Sequence, residues 1–128
     1  MTPEAARFLD KARQCRADAV LYQPLVPRIA GREAYLVAFH AAEALLYERT
    51  GKAAKTHRGL RAQFARITKD EPRIDQSVSE FLGRAYELKS LADYGTGTEA
   101  SISFATAKAA GETATHFVEC IAGLIEGR

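Results

Sequence analysis

The apolar residues of this chain recur every three or four positions along most of its length. Such spacing gathers apolar side chains on one face of a helix, whereas a half-buried strand needs an alternation of period two. No segment alternates in that way, and no dipeptide typical of a tight hairpin joins two apolar runs. The sequence therefore predicts an all-α protein.

Five segments of the chain carry the helical spacing, with stop signals such as Gly51 marking their ends. The predicted helices cover residues 3–22, 32–50, 57–68, 74 or 75–94, and 104 to the C-terminus. Pro24 and Pro27 are interpreted as an interhelical loop, because the residue before a proline is pushed out of the helical region. The Gly-rich segment 95–101 is predicted to be a flexible loop. Long helices with short connections predict one domain, residues 1–128, folded as an antiparallel up-and-down bundle of four to five helices.

The second predicted helix carries an unusually wide apolar stripe, which includes Tyr35, Leu36, Phe39 and Leu46. A helix that packs against its neighbours on one side needs a narrower stripe. We therefore expect this helix to be buried on two sides, against its own bundle and against a second copy of the chain. The second contact predicts a homodimer.

The charged residues are unevenly distributed along the chain. There are 18 Lys and Arg residues against 16 Asp and Glu, so the net charge of +2 decides little by itself. Residues 49–69, however, hold seven basic side chains and no acidic one. Such a segment can follow the phosphates of a nucleic acid, although charge runs more often only solvate an exposed face. The sequence leaves open whether the segment binds nucleic acid or only forms a solvated face.

Targeting and redox features are sparse. No stretch approaches the roughly 18 consecutive apolar residues of a membrane span. Glu4 and Asp10 interrupt the N-terminal region, where a signal peptide needs an apolar run. We therefore expect a cytoplasmic protein without membrane contact, in which Cys15 and Cys120 serve as small core hydrophobes. No clustered Cys and His pattern is present, so neither a metal nor a cofactor is predicted.

Two histidines lie three residues before a glutamate, in the pairs His40 with Glu43 and His116 with Glu119. Each pair shares one helix face, but di-iron bundles use the reverse order, with Glu before His. We interpret His116 as a partly buried structural residue. His40 lies on an apolar helix and is either a hydrogen-bonded core histidine or a functional one.

Two polar clusters are candidates for binding or chemistry. Lys55, Thr56, His57 and Arg58 surround the predicted start of the third helix, where free amides and the helix dipole favour an anion. The alternative is that Thr56 only caps the helix among solvated basic neighbours.

The second cluster ends the fourth helix and contains Lys89, Asp93 and Tyr94. It brings together a cation, a carboxylate and a phenol. The alternative is an exposed i, i+4 salt bridge followed by a helix stop.

Three blocks of this sequence together resemble the HEPN domain family of prokaryotes. They are REAYLVAFHAAEALL at 32–46, KTHRG at 55–59 and YELKSLADYG at 86–95. The resemblance is to small stand-alone HEPN proteins found beside minimal nucleotidyltransferases. It implies a helical bundle that dimerises, with a composite cleft at the interface. Many HEPN domains are metal-independent endoribonucleases of toxin–antitoxin or phage-defence systems, in which an Arg followed after four to six residues by a His cleaves RNA.

This sequence departs from that motif. Lys89 stands in the position of the Arg, and Tyr94 stands in the position of the His. Lysine lacks the guanidinium fork, and a phenol with an ordinary pKa of about 10 is a poor proton carrier at neutral pH. Whether the chain is an enzyme is therefore left open by its sequence.

Two functions follow from the resemblance. The first is recognition of RNA or nucleotide phosphate in a dimer cleft. If the chain is also an enzyme, it would be an endoribonuclease that uses a degenerate motif. Its catalytic candidates would be His57, Lys89, Asp93 and Tyr94, and its binding candidates Arg32, His40, Lys55, Thr56 and Arg58. The second is a non-catalytic binding or antitoxin module that pairs with a nucleotidyltransferase, which in some systems adenylylates a tyrosine such as Tyr94.

Overall fold

A computed structural model of the protein describes residues 1–97 and 101–127. It contains α1 (Pro3–Tyr22), α2 (Pro27–Thr50), α3 (His57–Thr68), α4 (Gln76–Tyr94) and α5 (Phe104–Glu126). No strand occurs in the described residues, so the prediction of an all-α bundle is confirmed. Residues 98–100 of the predicted 95–101 loop lie outside the described residues. None of the described helices combines the length and hydropathy that crossing a membrane requires.

Short polar side chains define the starts of four helices. In each case the side-chain oxygen accepts a hydrogen bond from the backbone N–H three residues later, which satisfies one of the amides that a helix start leaves without a partner. The capping residues are Thr2, Thr56, Asp75 and Ser103. At the other end of α2, Gly51 adopts a positive φ of 72°, a conformation that favours glycine.

The start of α2 corrects the sequence-based prediction, since this helix begins at Pro27 and not at Arg32. Pro27 is the first residue of the helix, where its missing N–H removes no hydrogen bond and its fixed φ fits. The preceding residue, Val26, is non-helical, with φ −143° and ψ 86°, and the connection between α1 and α2 is limited to residues 23–26. The proline that was interpreted as part of a loop therefore initiates the helix.

Helix α2 lies at the centre of the bundle and packs against all four other helices. Small side chains allow this close packing, because they let neighbouring backbones approach. Six alanines of α2 are fully buried: Ala30, Ala34, Ala38, Ala41, Ala42 and Ala44. The expected burial of α2 against its own bundle is confirmed. Because neighbours within one chain already cover this wide stripe, the homodimer stays a prediction that needs separate support.

Contacts between helix ends establish the directions of the helices. The backbone N–H of Thr2, before α1, donates to Glu48 Oε1 near the end of α2 at 2.7 Å. Arg32 near the start of α2 donates to Asp93 near the end of α4 at 3.0 Å. Cys120, in the second half of α5, contacts the residues that precede α4. The four long helices therefore run alternately up and down, as predicted.

The hydrophobic core is continuous through the bundle, and its largest fully buried side chains include Tyr35, Phe64 and Phe117. The ring of Phe117 lies 5.5 Å from that of Phe64 and 6.1 Å from that of Phe81, which ties α3 and α4 to α5. Helix α3 packs against both α2 and α4. Its first residue, His57, is consequently placed beside both of these helices.

The two cysteines have different surroundings. Cys15 is buried in the core as predicted, and burial raises the pKa of its thiol to about 11. Cys120 is only half-buried, and its thiol contacts the backbone oxygen of Arg73 at 3.5 Å. Burial also raises the pKa of this thiol. Both sulfurs are therefore protonated at neutral pH.

Candidate functional site

Aromatic rings from two helices surround the imidazole of His57. The Tyr35 hydroxyl lies 2.6 Å from His57 Nδ1, and the two rings are stacked with their centroids 5.6 Å apart. The ring of Phe39, also on α2, is 4.5 Å from the imidazole, and that of Tyr86 on α4 is 6.1 Å away. His57 is thus held by packing as well as by a hydrogen bond.

Arg61 lies one turn after His57 on α3 and places its guanidinium over the Tyr86 ring, with Cζ 4.2 Å from the ring centroid. Its Nε is buried and has no hydrogen-bond partner in the described part of the chain, where the guanidinium also forms no ion pair. The two Nη nitrogens of Arg61 are not fully buried. A buried donor without an acceptor destabilises a fold. Arg61 is therefore a fixed cation whose donors are not used by neighbouring residues. We refer to Tyr35, His57, Arg61, Tyr86 and Lys89 as the His57 cluster.

Lys89 connects the His57 cluster to an ion-pair network. Its Nζ is 2.8 Å from Asp93, and Arg32 Nε donates to the same carboxylate at 3.0 Å. The side chains of Lys89 and Asp93 are 16% and 23% exposed, although Asp93 as a whole residue is exposed, so both interpretations of this pair stay open. The hydrogen bond from Lys89, together with the charges of Lys89 and Arg32, lowers the pKa of Asp93.

The protonation states of the cluster follow from burial and nearby charge. Burial lowers the pKa of His57, and the positive charges of Lys89 and Arg61 lower it further. Burial raises the pKa of Tyr35 well above its usual range. At neutral pH the imidazole is therefore neutral and the phenol keeps its proton. The positive charge of the cluster resides on Arg61 and Lys89.

Comparison with protein-family models identifies the family of the chain. The model of the HEPN domain matches residues 3–125. The chain belongs to the HEPN family. A comparison with curated proteins finds no match. The matched region contains α1 to α4 entirely and nearly all of α5, so the His57 cluster lies within the HEPN domain. Membership of this family supports a function related to nucleotides or RNA in general.

The HEPN domain brings some of the predicted site residues together. Ion pairs join Arg32, Lys89 and Asp93, and the charge of Lys89 is close enough to lower the pKa of His57. His40 lies next to it, with its ring 5.3 Å from that of Phe39. Its Nδ1 is 2.7 Å from Glu43 Oε1, and its side chain is only 19% exposed. For His40 the structure therefore favours the hydrogen-bonded, largely buried interpretation.

Other predicted site residues lie at the margin of the region. Lys55 and Arg58 are exposed and form no hydrogen bond or ion pair with the described residues. Thr56 caps α3 by accepting a hydrogen bond from the N–H of Gly59 at 2.8 Å. Tyr94 is 79% exposed, and Lys89 Nζ lies 5.8 Å from the centre of its ring. Two of the residues in the Lys55 to Arg58 segment thus face solvent, and one caps the helix.

The second His and Glu pair does not form. His116 Nε2 instead lies 2.9 Å from Asp75 Oδ2, and Glu119 is 4.0 Å from Arg16 on α1. The His116 side chain is 55% exposed, which corrects the expectation of partial burial. It reaches across to the cap of α4 and does not point into the core. Within residues 1–97 and 101–127, no three His, Cys, Asp or Glu side chains are grouped as metal ligands.

Sequence reasoning missed three residues of the cluster, namely Tyr35, Arg61 and Tyr86. Arg61 packs on Tyr86 because α4 covers that side of α3. A usable signal did exist. A tyrosine within an apolar stripe brings a hydroxyl that needs a partner when buried, and Tyr35 lies in such a stripe.

Proposed function

We propose that this HEPN domain binds the phosphate groups of RNA or of a nucleotide at the His57 cluster. The observation that carries this proposal is Arg61, a cation fixed on the Tyr86 ring with no carboxylate partner in the described residues. A planar guanidinium donates well to phosphate oxygens, often through two parallel hydrogen bonds. A bound phosphate would supply the acceptors that the protein itself does not provide.

The surroundings of Arg61 also favour an anion. Lys89 adds a second positive charge close to His57. In the basic segment 49–69, every Lys and Arg side chain except Arg61 is exposed, and no acidic residue interrupts them. Such a surface attracts a polyanion over a distance, and a fixed site can then orient it. The basic segment and the His57 cluster therefore support the same ligand chemistry.

Binding is better supported than cleavage. The position of the cleaving Arg in HEPN endoribonucleases corresponds here to Lys89, whose ammonium group is hydrogen-bonded to Asp93. The position of the His corresponds to Tyr94, whose ring is mostly exposed. Phenols are poor general bases at neutral pH. Endoribonuclease activity is the alternative that the experiment below distinguishes.

The decisive experiment measures binding of a labelled, short single-stranded RNA by fluorescence anisotropy at two salt concentrations. We expect salt-sensitive binding that Arg61→Gln weakens about 10-fold or more, since hydrogen bonds to charged groups are the strong ones. Arg84→Gln is the matched control, because Arg84 is exposed and pairs with Glu80 on α4. Equal affinities of the wild type and Arg61→Gln would overturn the proposal.

The same RNA, incubated with the protein in EDTA, tests the alternative. We expect the RNA to remain intact. Metal-independent cleavage that is lost in His57→Ala or in Tyr94→Phe would instead establish an endoribonuclease.

We further propose that the protein acts as a homodimer in a toxin–antitoxin or defence system and pairs with a minimal nucleotidyltransferase. The exposed phenol of Tyr94, at the end of α4, supports a role as the residue that such a partner modifies. Gel filtration with light scattering tests the dimer. Mass spectrometry after co-expression with a nucleotidyltransferase encoded beside this gene tests the modification. We expect the gain of one adenylyl group, and Tyr94→Phe should abolish it.

A further inference from the structure

The hydrogen bond between Tyr35 and His57 has a consequence for what the imidazole can do. Tyr35 is fully buried, and its hydroxyl has one hydrogen-bond partner in the described residues, His57 Nδ1 at 2.6 Å. A buried hydroxyl without a partner is destabilising, so the fold favours whichever protonation state keeps this bond. The other ring nitrogen, Nε2, makes no hydrogen bond in the described part of the chain and is not buried.

The protonation states of Tyr35 and His57 determine which of the two donates the hydrogen bond. Because burial raises the pKa of Tyr35, the phenol remains protonated over the whole physiological range. A neutral imidazole with its proton on Nε2 has a lone pair on Nδ1 that accepts from the phenol. In an imidazolium, Nδ1 would have to donate to the phenol oxygen, and the phenol hydrogen would lose its acceptor. The hydrogen bond therefore favours a neutral ring with its proton on Nε2.

The charged and titratable groups around His57 act mostly in the same direction. They come from all three helices that meet there: Tyr35, His40 and Glu43 on α2, Arg61 on α3, and Tyr86 and Lys89 on α4. The charges of Lys89 and Arg61 oppose protonation of the ring. Glu43 favours protonation, but its carboxylate is hydrogen-bonded to His40. Geometry and charge together keep the ring neutral.

We propose that Tyr35 is a positioning residue that fixes His57 as a neutral hydrogen-bond donor through Nε2. This inference rests on the proposed function, since the acceptor is the phosphate oxygen of the bound RNA or nucleotide. In this state Nδ1 is occupied and Nε2 already carries a proton, so the ring has no lone pair to take a proton from a 2′-hydroxyl. The same hydrogen bond that builds the binding site thereby removes its general base.

Nitrogen-15 NMR of the imidazole in the ligand-free protein tests the inference without any RNA. We expect Nε2 protonated and Nδ1 unprotonated at neutral pH, because the pKa of the ring is lowered. In Tyr35→Phe the two neutral tautomers should mix, whereas the pKa of the ring should stay below its ordinary value, because burial and the charges of Lys89 and Arg61 remain. Tyr47→Phe, which removes a hydroxyl elsewhere on α2, is the control and should change neither. A proton on Nδ1 in the wild type, or an unchanged spectrum in Tyr35→Phe, would overturn the inference.

A second pair of variants keeps the test independent of how well Tyr35→Phe folds. The side-chain amide of His57→Gln can donate from a similar position but cannot act as a base, whereas His57→Ala can do neither. We expect RNA affinity within about threefold of the wild type for the Gln variant and about 10-fold weaker binding for the Ala variant. Equally weak binding by both variants would contradict the donor role. If wild-type protein binds no RNA, the proposed function fails, while the NMR spectrum still decides whether Tyr35 sets the tautomer.

Discussion

Replacing Arg61 with Met tests whether the cation of the His57 cluster is retained for a ligand and not for stability. Methionine keeps an unbranched apolar stem that can pack on the Tyr86 ring. It removes the guanidinium, including the buried Nε that has no partner in the described residues. If Arg61 serves to bind an anion, the ligand-free protein should become more stable without it.

The expected magnitude follows from two opposing effects. An unpartnered buried N–H group costs about 1–3 kcal/mol, and the substitution removes that cost. The cation–π contact with Tyr86, at 4.2 Å, is lost, and such contacts contribute about 0.5–1 kcal/mol at partly exposed sites. The net result is a gain of about 1 kcal/mol in the free energy of unfolding, or roughly 3–5 °C in Tm for a chain of this size.

Urea unfolding followed by circular dichroism measures this change. The midpoint should rise while the slope m stays constant, because the surface exposed on unfolding is nearly the same. Arg66→Met, at an exposed position of the same helix, should stay within about 0.5 kcal/mol of the wild type. A loss of more than about 1 kcal/mol in Arg61→Met would instead show that the guanidinium stabilises the fold and is not retained for a ligand.

Three further predictions concern the scaffold. Hydrogen bonds, that from Ser77 first, hold the pKa of Asp75 far below its usual range. Because the folded pKa lies below the unfolded value of about 3.9, the stability Asp75 contributes is present above about pH 4 and is lost as the pH falls further. The urea midpoint of the wild type should decrease as the pH falls below 4, and that of Asp75→Asn should decrease less steeply. Phe117→Ala, which empties the space against Phe64, should lower the free energy of unfolding by about 3–5 kcal/mol, measured by chemical denaturation. Gly83→Ala adds a Cβ that meets no atom within 4 Å at an exposed position of α4, so calorimetry should show a gain of about 1 kcal/mol in the free energy of unfolding.

The parts of the fold that depend on short-range signals were predictable from the sequence. Thr56 indicates the start of α3 and Gly51 indicates the end of α2, because capping residues act on backbone groups only a few residues away. The start of α2 was misplaced because Pro27 has two local meanings. A proline ends a preceding helix, yet it also suits the first position of the next one, and spacing alone does not choose between them.

The candidate site was only partly predictable, since its residues meet through tertiary packing. Lys89 and Asp93 are four residues apart on one helix, so their pairing could be expected. Tyr35, Arg61 and Tyr86 lie on three different helices, and each alone has an ordinary role as a core or surface residue. They meet because α3 packs against both α2 and α4, and no local pattern encodes that arrangement.

In the proposed function, the His57 cluster recognises phosphate, and the basic segment does not merely attract it. An NMR titration of isotope-labelled protein with a short single-stranded RNA tests this recognition. We predict that the largest chemical-shift changes occur at His57, Arg61 and Lys89 and disappear in Arg61→Gln. Changes confined to the exposed Lys52 and Lys55, with the signals of His57 and Arg61 unmoved, would contradict the claim.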